Sequence, residues 1–89
     1  MSVFVISCAL HDTTHDYAPL WADLEKAGAQ RAMETVWLFE TTSTVGEVTR
    51  KTLSHLQRGD RLLVVELSSG WSATNLLDDT GSWLKSRRP

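Results

Sequence analysis

Apolar residues fall in short blocks between polar turns, and the period inside each block separates strands from helices. Residues 2–10 read SVFVISCAL, a β-branched apolar run too short for an ordinary globular helix, and predict a buried strand. The polar HDTTH follows, and Tyr17, Leu20, Trp21 and Leu24 then recur at i, i+3, i+4 and i+7, the stripe of an amphipathic helix. Asp16 is placed to cap that helix, and Pro19 is compatible with its first turn, where an N–H has no intrahelical partner. Gly28 marks the stop. Next, RAMETVWLFETT predicts a short strand near Arg31 and a longer one over Thr35 to Thr41, paired as a hairpin. Thr44 with Glu47 is a capping-box signature for a second helix, whose apolar face carries Val45, Val48, Leu53 and Leu56 and which Gly59 ends. RLLVVEL, from Arg61 to Leu67, reads as a further strand between Gly59 and Gly70. In the last segment, Trp71 to Leu77 suggests a short edge strand. Asp78 or Asp79 would then cap a final helical turn with Trp83 and Leu84, against the low helix propensity of Gly81.

The order β-α-β-β-α-β is that of the ferredoxin-like split βαβ unit, four antiparallel strands with two helices on one face. Residues 1–89 are therefore read as one ferredoxin-like α+β domain with 71–89 as a C-terminal extension. An antiparallel sheet covered on one side should alternate apolar and polar positions. This one carries Phe4, Ile6, Cys8 and Leu10 on one face of the first strand and Val3, Val5 and Ala9 on the other. Two helices cover one face only, so the second is expected to be buried by a second copy of the chain or by the C-terminal segment, and a homodimer is expected.

Composition changes this picture little. With 42% hydrophobic and 22% charged residues the chain is expected to fold as a globular unit. The lone Cys8 excludes an internal disulfide and, with the absence of a signal-peptide pattern, points to the cytoplasm. No apolar run is longer than Val3 to Ile6, far below the roughly 20 residues of a membrane span. Net charge is −2, which withholds the strongly basic signature of a free-standing DNA-coating protein, so any phosphate contact must be local. Residues 1–28 carry Asp12, Asp16, Asp23 and Glu25 against Lys26 alone. The candidate nucleic-acid contacts are Arg50, Lys51, Arg58, Arg61, Lys85, Arg87 and Arg88, clusters that a dimer would double.

The runs VFVISCALHD, TVWLFET, RGDRLLVVEL and SGWSATNL resemble the small CRISPR-associated ferredoxin-like proteins that partner the spacer integrase. They are still more similar to the uncharacterised relatives of that group, which share a superfamily with the VapD virulence-associated ribonucleases. The resemblance covers most of the chain and implies a ferredoxin-like homodimer acting on or around nucleic acid. In the metal-dependent nucleases of that group, an aspartate at the end of the first strand, usually after a tyrosine, holds a divalent ion between subunits. The matching pair here is Cys8 and Ala9, so the carboxylate is missing, and Mg²⁺ needs oxygen ligands.

Other chemistry-bearing residues remain. His11, Asp12, His15 and Asp16 form an HDTTHD constellation that suits acid–base work or a transition metal, against the simpler assignment of an Asx turn at Asp12, a cap at Asp16 and solvated imidazoles. Cys8, inside a strand, reads as a small hydrophobe, and His55 as a helix-end residue facing the dipole or a free carbonyl. Trp21 and Trp37 read as packing, and Trp71 and Trp83 as anchors for the C-terminal segment rather than base-stacking platforms. The leading expectation is a nucleic-acid-associated or interaction module without the metal-dependent nuclease site and without a cofactor. One alternative is an active endoribonuclease using the His11 to Asp16 loop, with Mg²⁺ or Mn²⁺ if metal-dependent. The other is an adaptor or antitoxin-like partner of a neighbour-encoded protein.

Overall fold

Strand β1 (Ser2–Ala9) lies in the middle of the sheet, with a neighbour on each side, and carries apolar side chains on both faces because both are covered. The computed structural model describes residues 1–11, 15–68 and 70–87. In it β2 (Gln30–Met33), β3 (Val36–Thr41), β1 and β4 (Arg61–Glu66) form one sheet in the order β2-β3-β1-β4, antiparallel at every pairing. Ile6 stands between Trp37 on β3 and Val64 on β4. With helices α1 (Ala18–Lys26), α2 (Val45–Leu53) and α3 (Thr80–Arg87), the chain is a small α+β unit.

The first face of the sheet packs under α1 and α2. Phe4, Ile6, Cys8 and Trp37 from the sheet meet Leu20, Leu24 and Val48 from the helices. The capping box at the start of α2 is complete: Glu47 N donates to Thr44 Oγ1 (3.1 Å) and Thr44 N to Glu47 Oε1 (2.8 Å). Its carboxyl lies below the ordinary carboxylate range, chiefly through the Thr44 backbone N–H that it accepts. The helix is shorter than its sequence pattern suggests. It ends at Leu53, and the N–H groups of His55 and Leu56 reach back only three residues, to the carbonyls of Thr52 and Leu53 (both 3.1 Å). That tightened turn swings Leu56 onto the core and leaves Leu53 52% exposed, while buried Thr52 satisfies its hydroxyl on the Val48 carbonyl at 2.9 Å. The start of α1 also differs from expectation. Tyr17 occupies the cap position without a side-chain cap, and Asp16, one residue earlier, accepts the Ala18 N–H at 2.9 Å. Gly28 closes the helix at φ +83°, where a side chain would be strained.

The second face is covered by the chain itself. Val3, Ala32 and Leu38 pack against Leu84 of α3, with Trp71, Leu76 and Trp83 around them. No strand forms over Trp71 to Leu77: positive φ at Asn75, and again at Asp78 just beyond it, breaks any extended run, and Leu77 N meets the sheet at Ala32 O (3.0 Å). The final turn is a full eight-residue helix, seated by Thr80, which is 0% exposed and hydrogen-bonds Gln30 Nε2 (3.2 Å) and the Arg31 carbonyl (3.1 Å). This cover stops short of β4, where Leu63 is 62% and Val65 44% exposed.

Candidate functional site

Antiparallel pairing of β1 with β4 puts the residues that follow β1 beside those that precede β4, since Ala9 pairs with Arg61. His11 and Asp60 meet there, 49 positions apart in the chain. The Asp60 side chain is fully shielded, and both of its oxygens are doubly occupied. Oδ1 accepts from His11 N and His11 Nδ1 (both 2.9 Å), and Oδ2 accepts from the Tyr17 hydroxyl and from Gln57 N (both 2.7 Å). Burial alone would raise this carboxyl, but the bonds from His11, Gln57 and Tyr17 outweigh it and hold Asp60 well below the usual carboxylate range. An ionised carboxylate only accepts, so the proton of this His11 contact sits on Nδ1 and Nε2 is the basic nitrogen.

The Asp60 contact and the close approach of the Gly59 backbone hold the imidazole in place. Gly59, at φ +97°, brings its backbone so close to the ring that a Cβ there would lie 3.0 Å from His11 Cε1 and Nε2. The His11 side chain is nonetheless 53% exposed, and Nε2 has no hydrogen-bond partner among the described residues. Tyr17 extends the network, because its ring meets that of His15 edge-on at 4.6 Å. His15 in turn lies 3.4 Å from Gln57 Nε2 and lines a cleft of about 200 Å³ with Asp16, Ser54, His55 and Gln57.

His55 does not cap the end of α2. Its Nε2 contacts Asp23 Oδ2 at 2.6 Å and ties α2 to α1. Cys8 is 3% exposed, its thiol pushed above the ordinary value first by burial and then by the charge of Asp60, which suits a packing role. Ala9 is exposed at the end of β1 and offers no side-chain oxygen. Among the described residues, the carboxylate at this strand end presents both oxygens to N–H and O–H donors, an arrangement that does not fit a divalent cation. Among the described residues no group of three or more His, Cys, Asp or Glu is placed to hold a metal ion. Asp12 lies outside the described residues, as does Arg88.

The basic residues divide. Arg50 and Lys51, in the last turn of α2, lead through Arg58 to Arg61 at the start of β4, and these four form no ion pair among the described residues. Arg87 is instead committed to the fold, with Nε 3.3 Å from Glu40 Oε1 and its guanidinium 4.1 Å over Trp83. Lys85 stands exposed in the last turn of the same helix. Arg31, absent from the sequence-based set, stacks on Trp21 and Trp37 at 5.4 and 5.7 Å. Sequence reasoning reached His11 and His15 but missed Asp60, Tyr17 and Gln57. The available signal was topological: the expected sheet itself places the end of β1 beside the start of β4.

No protein-family model matches the chain, and no solved structure is significantly similar to it. The fold and site thus define a small α+β protein with a four-stranded antiparallel sheet and a histidine–carboxylate cluster at one end. No helix of the described residues is long and apolar enough to cross a membrane.

Proposed function

We propose that this protein is a cytoplasmic nucleic-acid-binding module of ferredoxin-like fold, related to the CRISPR-associated and VapD proteins, that acts as a homodimer without their metal-dependent nuclease site. The observation that carries the reading is the run Arg50, Lys51, Arg58 and Arg61, four basic side chains that form no ion pair among the described residues and follow one another along the chain from the end of α2 to the start of β4. Cations held in no ion pair can replace the counterions of a phosphate backbone. The ferredoxin-like assignment is supported by the order β2-β3-β1-β4, antiparallel throughout, with α1 and α2 on one face. Ala9 and the saturated Asp60 support the loss of the metal site. Self-association is supported by β4, an edge strand with Leu63 and Val65 uncovered.

Fluorescence anisotropy with labelled single-stranded RNA and duplex DNA across a salt series tests the reading. Affinity should fall linearly on a log–log plot, with a slope of about −0.7 to −0.9 per phosphate neutralised. Replacing Arg58 and Arg61 together by Ala should weaken binding and flatten that slope. Binding indifferent to salt, or none to either nucleic acid, would leave the adaptor role in its place.

A further inference from the structure

We propose that His11 is the general base of an RNA transesterification, held in its reactive tautomer by Asp60, with His15 as the proton donor to the leaving group. The inference rests on the nucleic-acid-binding reading and names the substrate class and the chemistry. Three observations converge on it. The buried Asp60 carboxylate fixes the Nδ1 proton of His11 and so leaves Nε2 as the basic atom. The ring stays half-exposed, where a polymeric substrate can reach it. A second imidazole, His15, is joined to the same carboxylate through the Tyr17 ring and opens onto a cleft at the same end of the molecule.

Asp60 cannot itself be the base. It is strongly acidic, with both oxygens engaged, and acts through His11 as a positioning residue. RNA is the substrate this arrangement suits because it carries its own nucleophile. His11 Nε2 takes the proton of a ribose 2′-hydroxyl as the 2′-oxygen bonds to the adjacent phosphorus. The bond from phosphorus to the 5′-oxygen breaks, and that oxygen leaves with a proton from the His15 imidazolium. The products are a 2′,3′-cyclic phosphate and a 5′-hydroxyl; the protonated His11 and neutral His15 exchange with water to reset, and no co-reactant is consumed. Arg58 and Arg61, which form no ion pair among the described residues and stand on either side of the Gly59–Asp60 turn, are placed to hold the phosphate chain there.

The test follows cleavage of a labelled single-stranded RNA in EDTA, with binding measured on the same samples and a strand of identical sequence in deoxyribose as control. The RNA should be cut to cyclic-phosphate ends, and the deoxy strand should be bound but left intact. His11→Ala should lower the rate by about 10² to 10⁴-fold at unchanged RNA affinity, and added imidazole should restore part of the loss. His15→Ala should lower the rate as well. For Asp60→Asn, nitrogen NMR of the imidazole should show His11 moving away from the Nδ1-protonated tautomer, a signature that a merely structural carboxylate would not produce. RNA bound but uncut by the original chain overturns the catalytic proposal and leaves the binding reading standing, as does a folded His11→Ala chain that cuts at the original rate. Failure to bind RNA while the deoxy strand is still bound overturns the catalytic proposal alone, and failure to bind either strand overturns both.

Discussion

Asp60 shows how one side chain can take both a structural and a chemical role. It collects four donors from three separate parts of the chain: His11 after β1, Tyr17 before α1 and Gln57 after α2. A fully shielded carboxylate is costly unless its oxygens are satisfied, and here each accepts two hydrogen bonds. The same bonds make folding stability depend on pH. A carboxyl whose folded value lies below its unfolded value binds protons more readily when unfolded, so its stabilising contribution is complete above the ordinary value of 3.8 and is lost as the pH falls below it. Glu47 is lowered in the same sense by its capping bonds and adds to the trend. Urea midpoints should therefore drop steeply on the acid side of that value. Asp60→Asn should start from a lower midpoint at neutral pH and lose less of it on acidification. Parallel losses in the two proteins would show that Asp60 is not the group being titrated.

At the level of elements, the legible features were those whose cause is local. The capping box needs only Thr44 and Glu47, three residues apart, and the stop at Gly28 needs only a residue that tolerates positive φ. What was hidden depends on partners distant in the chain. Nothing near His11 announces Asp60, and nothing near His55 announces Asp23, 32 residues away. The inner stripe of α2 was misread because a polar residue, Thr52, is buried by bonding its own helix, while apolar Leu53 faces outward. The C-terminal segment was hardest to read, because its path is set by packing on the second face rather than by any period of its own. Leu84, 3% exposed, joins α3 to Val3, Ala32 and Leu38 there. Leu84→Ala should accordingly cost about 2–5 kcal/mol in urea unfolding, the usual range for emptying a buried leucine site. A loss within experimental error would mean that α3 is not held on the sheet by this contact.

For the whole molecule, the unresolved balance between the two sheet faces bears on assembly. The first face lies under α1 and α2, and the C-terminal segment and α3 cover the β2, β3 and β1 part of the second. That self-made cover removes part of the argument for a homodimer and confines what remains to β4. This strand pairs with β1 on one side only, so its outer backbone groups have no neighbouring strand among the described residues, and it holds Leu63 and Val65 uncovered on one face. A two-fold axis through Val64 would pair two β4 strands antiparallel and set Leu63 of one copy opposite Val65 of the other. Two apolar pairs would then be buried at once, and the sheet would continue across the axis. The register is distinctive because a shift of one residue would set apolar positions against the opposite face. Light scattering should find a dimer at micromolar concentration, and Leu63→Lys with Val65→Lys should convert it to a monomer of nearly unchanged thermal stability, since neither side chain enters the monomer core. The monomer should also bind RNA with a shallower salt slope, because pairing doubles the set of Arg50, Lys51, Arg58 and Arg61 presented to one strand. An original chain that is monomeric at all these concentrations would refute the edge pairing and leave β4 a solvent-facing strand guarded only by the charges of Arg61 and Glu66 at its two ends.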